Sequence, residues 1–142
     1  MTTSRTRVTG IHVGIDVGKF TLDIHIHERG LYWQVENNPE GIRSALTRIC
    51  RYTVSRLVVE ATGRYEMDLV SAAYDRGIPA VIAKPSAVRQ YARATEQLAK
   101  TDKIDARIIA EYGAVVQPRI RLQESKNIRF LKDLFVRRRQ LM

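Results

Sequence analysis

Four acidic residues of this sequence stand where carboxylates could gather into one site. Asp16 follows the apolar run HVGI, Glu60 closes the run RLVV, and Asp102 and Asp105 lie three apart in the segment KTDKIDA. Residues three apart on a helix share one face. Mg²⁺ and Mn²⁺ prefer oxygen ligands such as these carboxylates, and such ions can support phosphoryl transfer. The set therefore indicates a divalent-metal site.

Each acid also has a simpler explanation. Asp16 suits a turn or an exposed strand face, and Glu60 suits the end of a strand. Asp102 suits the N-cap of a helix, and Asp105 suits its first turn, where a negative charge is favourable against the helix dipole. Spacing alone favours this simpler explanation for the Asp102 and Asp105 pair.

The combination of the four acids is a stronger indication than any one of them. If the first and fourth strands of a sheet are neighbours, Asp16 and Glu60 come together and the helical pair can join them. Two like charges about 4 Å apart repel by about 4 kcal/mol at an effective dielectric constant of about 20. Four clustered acids would therefore need protons or cations.

The charge of the chain favours a polyanionic partner, chiefly nucleic acid. Its 142 residues, enough for one domain, include 24 Lys and Arg against 15 Asp and Glu, a formal net charge of +9. The excess is concentrated in residues 117–142, which hold eight basic and two acidic residues. A basic face of this kind is typical of proteins that bind DNA or RNA. The candidate nucleic-acid-binding residues are Lys19, Lys100, Lys103, Arg107, Arg137, Arg138 and Arg139.

The sequence gives no sign of a membrane protein or a disulfide scaffold. No apolar run approaches the ~20 residues that span a bilayer, and the start MTTSRTR lacks the apolar segment of a secretory signal. The single cysteine, Cys50, excludes an intramolecular disulfide framework and is predicted to be a core residue on a helix. We therefore expect a cytoplasmic protein without a membrane partner.

The hydrophobic pattern predicts an α/β domain with a mixed sheet, helices on both faces, and the element order βββαβαβα. Three short-turn strands predict an antiparallel meander, and Asn38 with Pro39 marks the first helix start. In the last helix, Ile104, Ile108, Tyr112 and Val115 form the predicted apolar stripe. The predicted strands span 10–18, 20–28, 31–37, 56–61 and 79–84. The first predicted helix begins at Asn38, and the second spans 65–76. The last helical pattern covers 86–94 and, after a weak stretch, continues through 102–116.

The termini are predicted to differ from the body of the chain. We expect residues 1–10 to be a flexible N-terminus and residues 11–117 to be the folded domain. Residues 118–142 are predicted to be a linker and the start of a basic amphipathic helix with coiled-coil-like spacing. Such a helix cannot bury its apolar face alone, so we expect a homo-oligomer formed through it and a chain that continues beyond Met142.

Three segments resemble a known family. GIDVGK, VVEATGRY and IAKPSAVRQYARATEQLAKTDKIDARIIAEYG are similar to the DEDD transposases of the insertion-sequence IS110 family, which also includes the Piv DNA invertases. The most specific part is KTDKIDA followed by AEYG. One departure is Lys84, where the family pattern has an uncharged residue, and it affects the loop rather than the acids.

The resemblance implies both a fold and an activity. It implies an RNase H-like (RuvC-like) catalytic domain over residues 11–117 and Mg²⁺- or Mn²⁺-dependent DNA cleavage and strand transfer. Family members are guided by an RNA and carry a further C-terminal domain with a serine, so we expect this chain alone to be inactive. By motif, the catalytic and metal-binding tetrad falls on Asp16, Glu60, Asp102 and Asp105.

Two other functions stay open at this stage. An actin-like or sugar-kinase-like nucleotide-binding domain shares the predicted topology and could use GIDVGK as a phosphate turn, although 142 residues are few for two lobes. A non-catalytic nucleic-acid-binding module, in which the acids only cap and pair, would explain the basic run Arg137–Arg139.

Overall fold

The structure, a computed structural model, describes residues 10–98 and 103–120. These residues form five strands, a short 3₁₀ turn at His27–Arg29 and four α-helices. None of the described helices is long and apolar enough to cross a membrane. The strands are β1 (Ile11–Val17), β2 (Thr21–Ile26), β3 (Leu31–Glu36), β4 (Val54–Glu60) and β5 (Ala80–Ala83), and the helices are α1 (Pro39–Ile49), α2 (Met67–Asp75), α3 (Pro85–Ala94) and α4 (Ala106–Val116).

The strands form one mixed sheet in the order β3-β2-β1-β4-β5. β1, β2 and β3 pair antiparallel as a meander, whereas β4 runs parallel to both β1 and β5. The predicted meander and the predicted contact of the first strand with the fourth are both confirmed. Because β1 and β4 are parallel neighbours, their carboxyl ends meet at one edge of the sheet.

Both faces of the sheet are covered by helices. Leu57 and Val59 of β4 belong to a hydrophobic core that includes residues of α1 and α2, whereas Val58 between them belongs to a second core with residues of α3 and α4. Successive strand residues point to opposite faces. The described body is therefore a three-layer α/β structure, as the sequence pattern predicts.

Helix α4 lies unusually close to the central strand β1. A methyl group added at Gly14 would lie 2.2 Å from the backbone nitrogen of Ala110 and 2.5 Å from the carbonyl oxygen of Ala106. One added at Gly113 would lie 2.9 Å from a methyl group of Val58. At position 14 only glycine permits this approach of the α4 backbone to the β1 backbone. This contact fixes where α4 begins relative to β1.

Two details of the last helical region differ from the prediction. The helical pattern predicted for 86–94 and, after a weak stretch, for 102–116 is two separate helices: α3 ends at Ala94, Glu96 adopts a positive φ of 58°, and α4 begins at Ala106 rather than at 102. Val115 was predicted to belong to the apolar stripe, and this is wrong because its exposed fraction is 62 %. The glycine contact turns Ala106, Ala110 and Gly113 toward the sheet, and this rotation leaves Val115 outside.

The prediction for Cys50 is also wrong. Cys50 is the C-terminal cap of α1 and is exposed. The buried face of this helix consists of Ile42, Ala45, Leu46 and Ile49, and Cys50 follows that face by one residue, about 100° around the helix axis. The start of α1 agrees with the prediction, because Asn38 accepts a hydrogen bond from the Gly41 N–H at 2.7 Å.

A buried histidine joins β1 to the 3₁₀ turn. The His12 backbone N–H donates to Glu28 Oε1, and His12 Nδ1 lies 2.6 Å from Glu28 Oε2. Arg56 Nη1 lies 3.3 Å from His12 Nε2. Because arginine only donates, Nε2 accepts and Nδ1 carries the proton donated to Glu28. His12 is therefore a structural residue.

The predicted flexible N-terminus, apart from residue 10, lies outside the described residues. So do residues 121–142, with the predicted basic helix and its role in oligomerisation.

The Gly14 contact predicts a large effect of a single methyl group. We expect Gly14→Ala to lower the free energy of unfolding by about 2 kcal/mol or more, because overpacking against rigid backbone atoms is costly. Gly18→Ala is the matched control, since its nearest added contact is the Thr21 carbonyl oxygen at 3.2 Å. Urea denaturation measures both variants. Equal losses for the two would contradict the close approach.

The His12–Glu28 contact predicts a pH-dependent contribution to stability. Burial alone would raise the pKa of Glu28, but the hydrogen bonds from His12 outweigh it and hold the pKa below the ordinary value of 4.5. A carboxyl group with a lowered folded pKa stabilises the fold above its unfolded pKa, and this contribution is lost as the pH falls through the folded pKa. We expect Glu28→Gln to cost about 1 kcal/mol at pH 7.

The difference between Glu28→Gln and the parent chain should shrink as the pH falls below 4.5. Urea midpoints measured from pH 7 to pH 3 give this difference directly. A difference that stays constant over the whole range would exclude an ionised Glu28 as its source.

Candidate functional site

Asp16 and Glu60 meet at the carboxyl end of the parallel strand pair. Asp16 is the penultimate residue of β1 and Glu60 is the last residue of β4, and the register pairs Ile15 with Val59. Both acids are partly buried. They line one cavity of about 410 Å³, here called the Glu60 cavity.

The pKa values of both carboxyl groups are raised by burial and by neighbouring acids. Burial raises the pKa of Asp16, and the charges of Asp23 and Asp105 raise it further against the opposing charge of Lys103. Burial likewise raises the pKa of Glu60, and the Asp16 charge adds to this effect. A raised pKa means that the surroundings of a carboxyl group disfavour its ionised form. The site therefore favours a positive charge beside these oxygens.

Asp105 lies at the start of α4 and caps it. Its Oδ1 accepts a hydrogen bond from the Ile108 N–H at 2.9 Å. The placement of Asp105 in the first turn was therefore wrong, because it is the N-cap itself. Asp105 and Asp16 line a second cavity of about 420 Å³, here called the Asp105 cavity. Asp102, the fourth predicted acid, lies outside the described residues.

Sequence reasoning missed a further acid, Asp23. The β1–β2 register places it directly opposite Asp16, and it lines both cavities. Its Oδ1 accepts hydrogen bonds from the Tyr32 hydroxyl and, at 2.9 Å, from Gln34 Nε2. The alternation of TLDIHI places Asp23 on the polar face of β2. Its position opposite Asp16 depends on the strand register.

The predicted basic residues divide into four groups. Lys103 is exposed and lines the Glu60 cavity, as does Arg89, which sequence reasoning missed. Arg107 lines the Asp105 cavity, donates to Gln97 at 3.0 Å and lies 3.8 Å from Glu111. Lys19 lies in the β1–β2 turn. Lys100 and Arg137, Arg138 and Arg139 lie outside the described residues.

A polar network joins α3 to α4 beside the acids. The Tyr91 hydroxyl donates to Glu111, and Gln97 Nε2 donates to the same carboxylate at 2.5 Å. Burial, together with the hydrogen bond to Glu111, raises the pKa of Tyr91 to about 12, so Tyr91 remains a donor at neutral pH. Through Gln97 and Arg107, the network connects to the rim of the Asp105 cavity.

The loop after Glu60 is held by a buried carboxylate. Glu66 is 4 % exposed and accepts hydrogen bonds from the backbone N–H groups of Thr62 and Gly63, each at 3.2 Å, and from the Thr62 hydroxyl. Burial alone would raise the pKa of Glu66, but these hydrogen bonds lower it. Glu66 is therefore a structural acid, and it fixes Thr62 at the Glu60 cavity.

The donor chemistry around the two cavities fits a hard divalent cation. Partly buried carboxylate oxygens with raised pKa values are stabilised by a cation, and Mg²⁺ is commonly held by one or two carboxylates together with substrate phosphates. Within residues 10–98 and 103–120, no three His, Cys, Asp or Glu side chains form a group that could hold a metal. The described acids are thus of the right chemical type to bind such a cation, and they supply some of its ligands.

The comparisons with known proteins agree with one another. The family model for the IS110 DEDD transposases, described as "Transposase", matches residues 13–142. The chain is 32 % identical over 123 residues to a pilin gene-inverting protein of Moraxella bovis and to one of Moraxella lacunata, an alignment that covers 82 % of this chain and 38 % of either relative. The chain thus spans about 38 % of the length of these curated relatives. The resemblance seen in the motifs is confirmed, and the chain belongs to the IS110 family of DEDD transposases.

Proposed function

We propose that this chain is the N-terminal metal-binding domain of a transposase or site-specific DNA recombinase with an RNase H-like (RuvC-like) fold. Asp16, Glu60, Asp102 and Asp105 are its catalytic and metal-binding tetrad, with Mg²⁺ or Mn²⁺ as the cofactor. The supporting observation is that two partly buried acids meet at adjacent strand ends and that a third acid, at the N-cap of α4, lies near Asp16. The family membership supports DNA as the substrate.

The residues of the chain have separable tasks in this proposal. Asp16 and Glu60 bind the cation from the strand ends, and Asp105 binds it from the helix start, where the cap hydrogen bond fixes its orientation. Lys103 and Arg89, at the wall of the Glu60 cavity, attract the DNA phosphates. When bound, Mg²⁺ supplies activation of the attacking hydroxyl and neutralises charge on the scissile phosphate.

The remaining parts of the proposal concern the whole gene product. Inverting a gene segment, as the names of the two relatives state for them, requires strands to be cut and rejoined by phosphoryl transfer. We assign residues 11–117 to the catalytic domain and residues 118–142 to a linker and a helix that pairs protomers. A guide RNA and a further C-terminal domain with a serine complete the recombinase, so residues 1–142 alone do not exchange strands.

Metal binding should show in thermal stability. We expect Mg²⁺ or Mn²⁺ at about 100 times its Kd to stabilise residues 1–142 by about 2.7 kcal/mol, which corresponds to a rise in Tm on the order of 10 °C. Asp16→Asn should abolish this rise. The same variant should melt higher than the parent without metal, because it removes a disfavoured charge. A rise in Tm unaffected by Asp16→Asn would contradict the site.

Asp105 allows its cap role to be separated from its ligand role. Asparagine caps helices about as well as aspartate, whereas alanine does not. Asp105→Asn should therefore keep the stability measured without metal and lose metal affinity, while Asp105→Ala should lose about 1 kcal/mol as well. Equal metal affinity of the Asp105→Asn variant and the parent chain would leave Asp105 as a cap alone.

The catalytic assignment is tested in the whole gene product. We expect Asp16→Asn or Glu60→Gln to reduce recombination by about 10²-fold or more, the size typical of losing one preorganised electrostatic group, with DNA affinity nearly unchanged. Recombination and gel-shift assays measure the two quantities. Glu40→Gln, an exposed acid of α1 on the other face of the sheet, is the matched control. Unreduced recombination in the site variants would leave a non-catalytic binding module.

A further inference from the structure

An exposed aromatic ring is carried by the turn whose residues Gly18 and Thr21 line the Glu60 cavity. Phe20 lies in the β1–β2 turn and its exposed fraction is 73 %, the highest of the large hydrophobic residues in the described part of the chain. The Lys19 ammonium lies 5.2 Å from the centre of its ring. Exposing a phenylalanine forgoes the burial that normally stabilises a fold. The ring therefore contributes little to folding.

The turn that carries Phe20 is nevertheless well ordered by hydrogen bonds. The Gly18 N–H donates to the Thr21 carbonyl at 2.9 Å. The Asn37 backbone N–H donates to the Phe20 carbonyl, and Asn37 Nδ2 donates to the Gly18 carbonyl, each at 2.8 Å. An exposed ring on a fixed turn is preorganised for a ligand, since little conformational entropy is lost on binding.

The same asparagine connects this turn to the loop after β4. Asn37 Nδ2 also lies 3.4 Å from the Tyr65 carbonyl oxygen. Tyr65 lies two residues before the first residue of α2 and is 36 % exposed. Gly18 and Thr21, on either side of Phe20, line the Glu60 cavity together with Asp16. The turn that carries the ring thus forms part of the wall of the cavity that holds the candidate acids.

We propose that Phe20, with Lys19 beside it, is a stacking site for an unpaired base of single-stranded DNA whose backbone enters the Glu60 cavity. The proposal rests on the proposed function and extends it to a binding site outside the tetrad. Aromatic side chains stack on bases with about 1–3 kcal/mol per base. The Lys19 ammonium is suited to a phosphate next to that base. A single exposed ring beside a cation suits the binding of one base. A protein partner is typically bound through a cluster of several apolar anchor residues.

The test uses residues 1–142 and a single-stranded DNA oligonucleotide that carries 2-aminopurine, a base whose fluorescence falls when it stacks. We expect Phe20→Ala to weaken binding about 5- to 150-fold, the equivalent of 1–3 kcal/mol, and to abolish the quenching. Phe20→Trp should retain both. Val115→Ala, a truncation of another exposed apolar residue far along α4 at 62 % exposure, should bind like the parent chain.

Salt dependence separates stacking from charge. Phe20→Ala should leave the slope of log Kd against log salt unchanged, whereas Lys19→Gln should reduce it by about one. Because Phe20 is exposed, its variants should unfold at the urea midpoint of the parent chain, and Phe20→Leu keeps an apolar side chain as a second test of stacking.

Three results would overturn the proposal. The first is that Phe20→Ala and Phe20→Leu bind the oligonucleotide as tightly as the parent chain. The second is that Phe20→Ala loses as much affinity for a blunt duplex as for the single strand. The third is that Phe20→Ala weakens binding of RNA of the same sequence but not of DNA. A Phe20-dependent change of molecular mass with protein concentration would assign the ring to protein association and would also overturn it. The metal-induced rise in Tm reports on the tetrad separately, so failure at Phe20 is distinguishable from failure of the proposed function.

Discussion

The candidate site depends on the close approach of α4 to β1 at Gly14. The carbonyl of Ala106, the first residue of α4, would be 2.5 Å from a methyl group at Gly14, so the helix starts directly over the central strand. Asp105 immediately precedes that residue, and Asp16 lies two residues after Gly14 on the same face of β1. The absence of one side chain therefore decides how close these two carboxylates come.

Both faces of the sheet bury a hydrophobic core, but the candidate acids lie on one face only. One face is a continuous hydrophobic core beneath α1 and α2. The other face places Asp16, Asp23 and Glu60 at the ends of neighbouring strands, where burial raises the pKa of Asp16 and of Glu60. Carboxyl groups held in this way cost stability unless a cation joins them. Functional sites commonly break a packing rule that the rest of the structure obeys.

The sequence predicts those features that are encoded locally. Alternation identified the strands, Asn38 with Pro39 marked the start of α1, and Glu60 was placed at a strand end. The sequence did not predict Asp23 as a site residue because only the pairing of β1 with β2 places it opposite Asp16. That strand register depends on residues outside the TLDIHI segment. The exposure of Val115 follows from the rotation imposed by the glycine contact, which periodicity within one helix does not contain.

The two explanations of Asp105, as a cap and as a ligand, are compatible in physical terms. An ionised carboxylate has two oxygens and about four acceptor sites, and the hydrogen bond from Ile108 uses one of them. The cap holds the carboxylate in one orientation, and the Tyr91–Glu111–Gln97 network joins α3 to the helix that follows. A side chain already oriented by the fold loses less entropy when it binds an ion. The cap hydrogen bond therefore orients the Asp105 carboxylate before any ion binds to it.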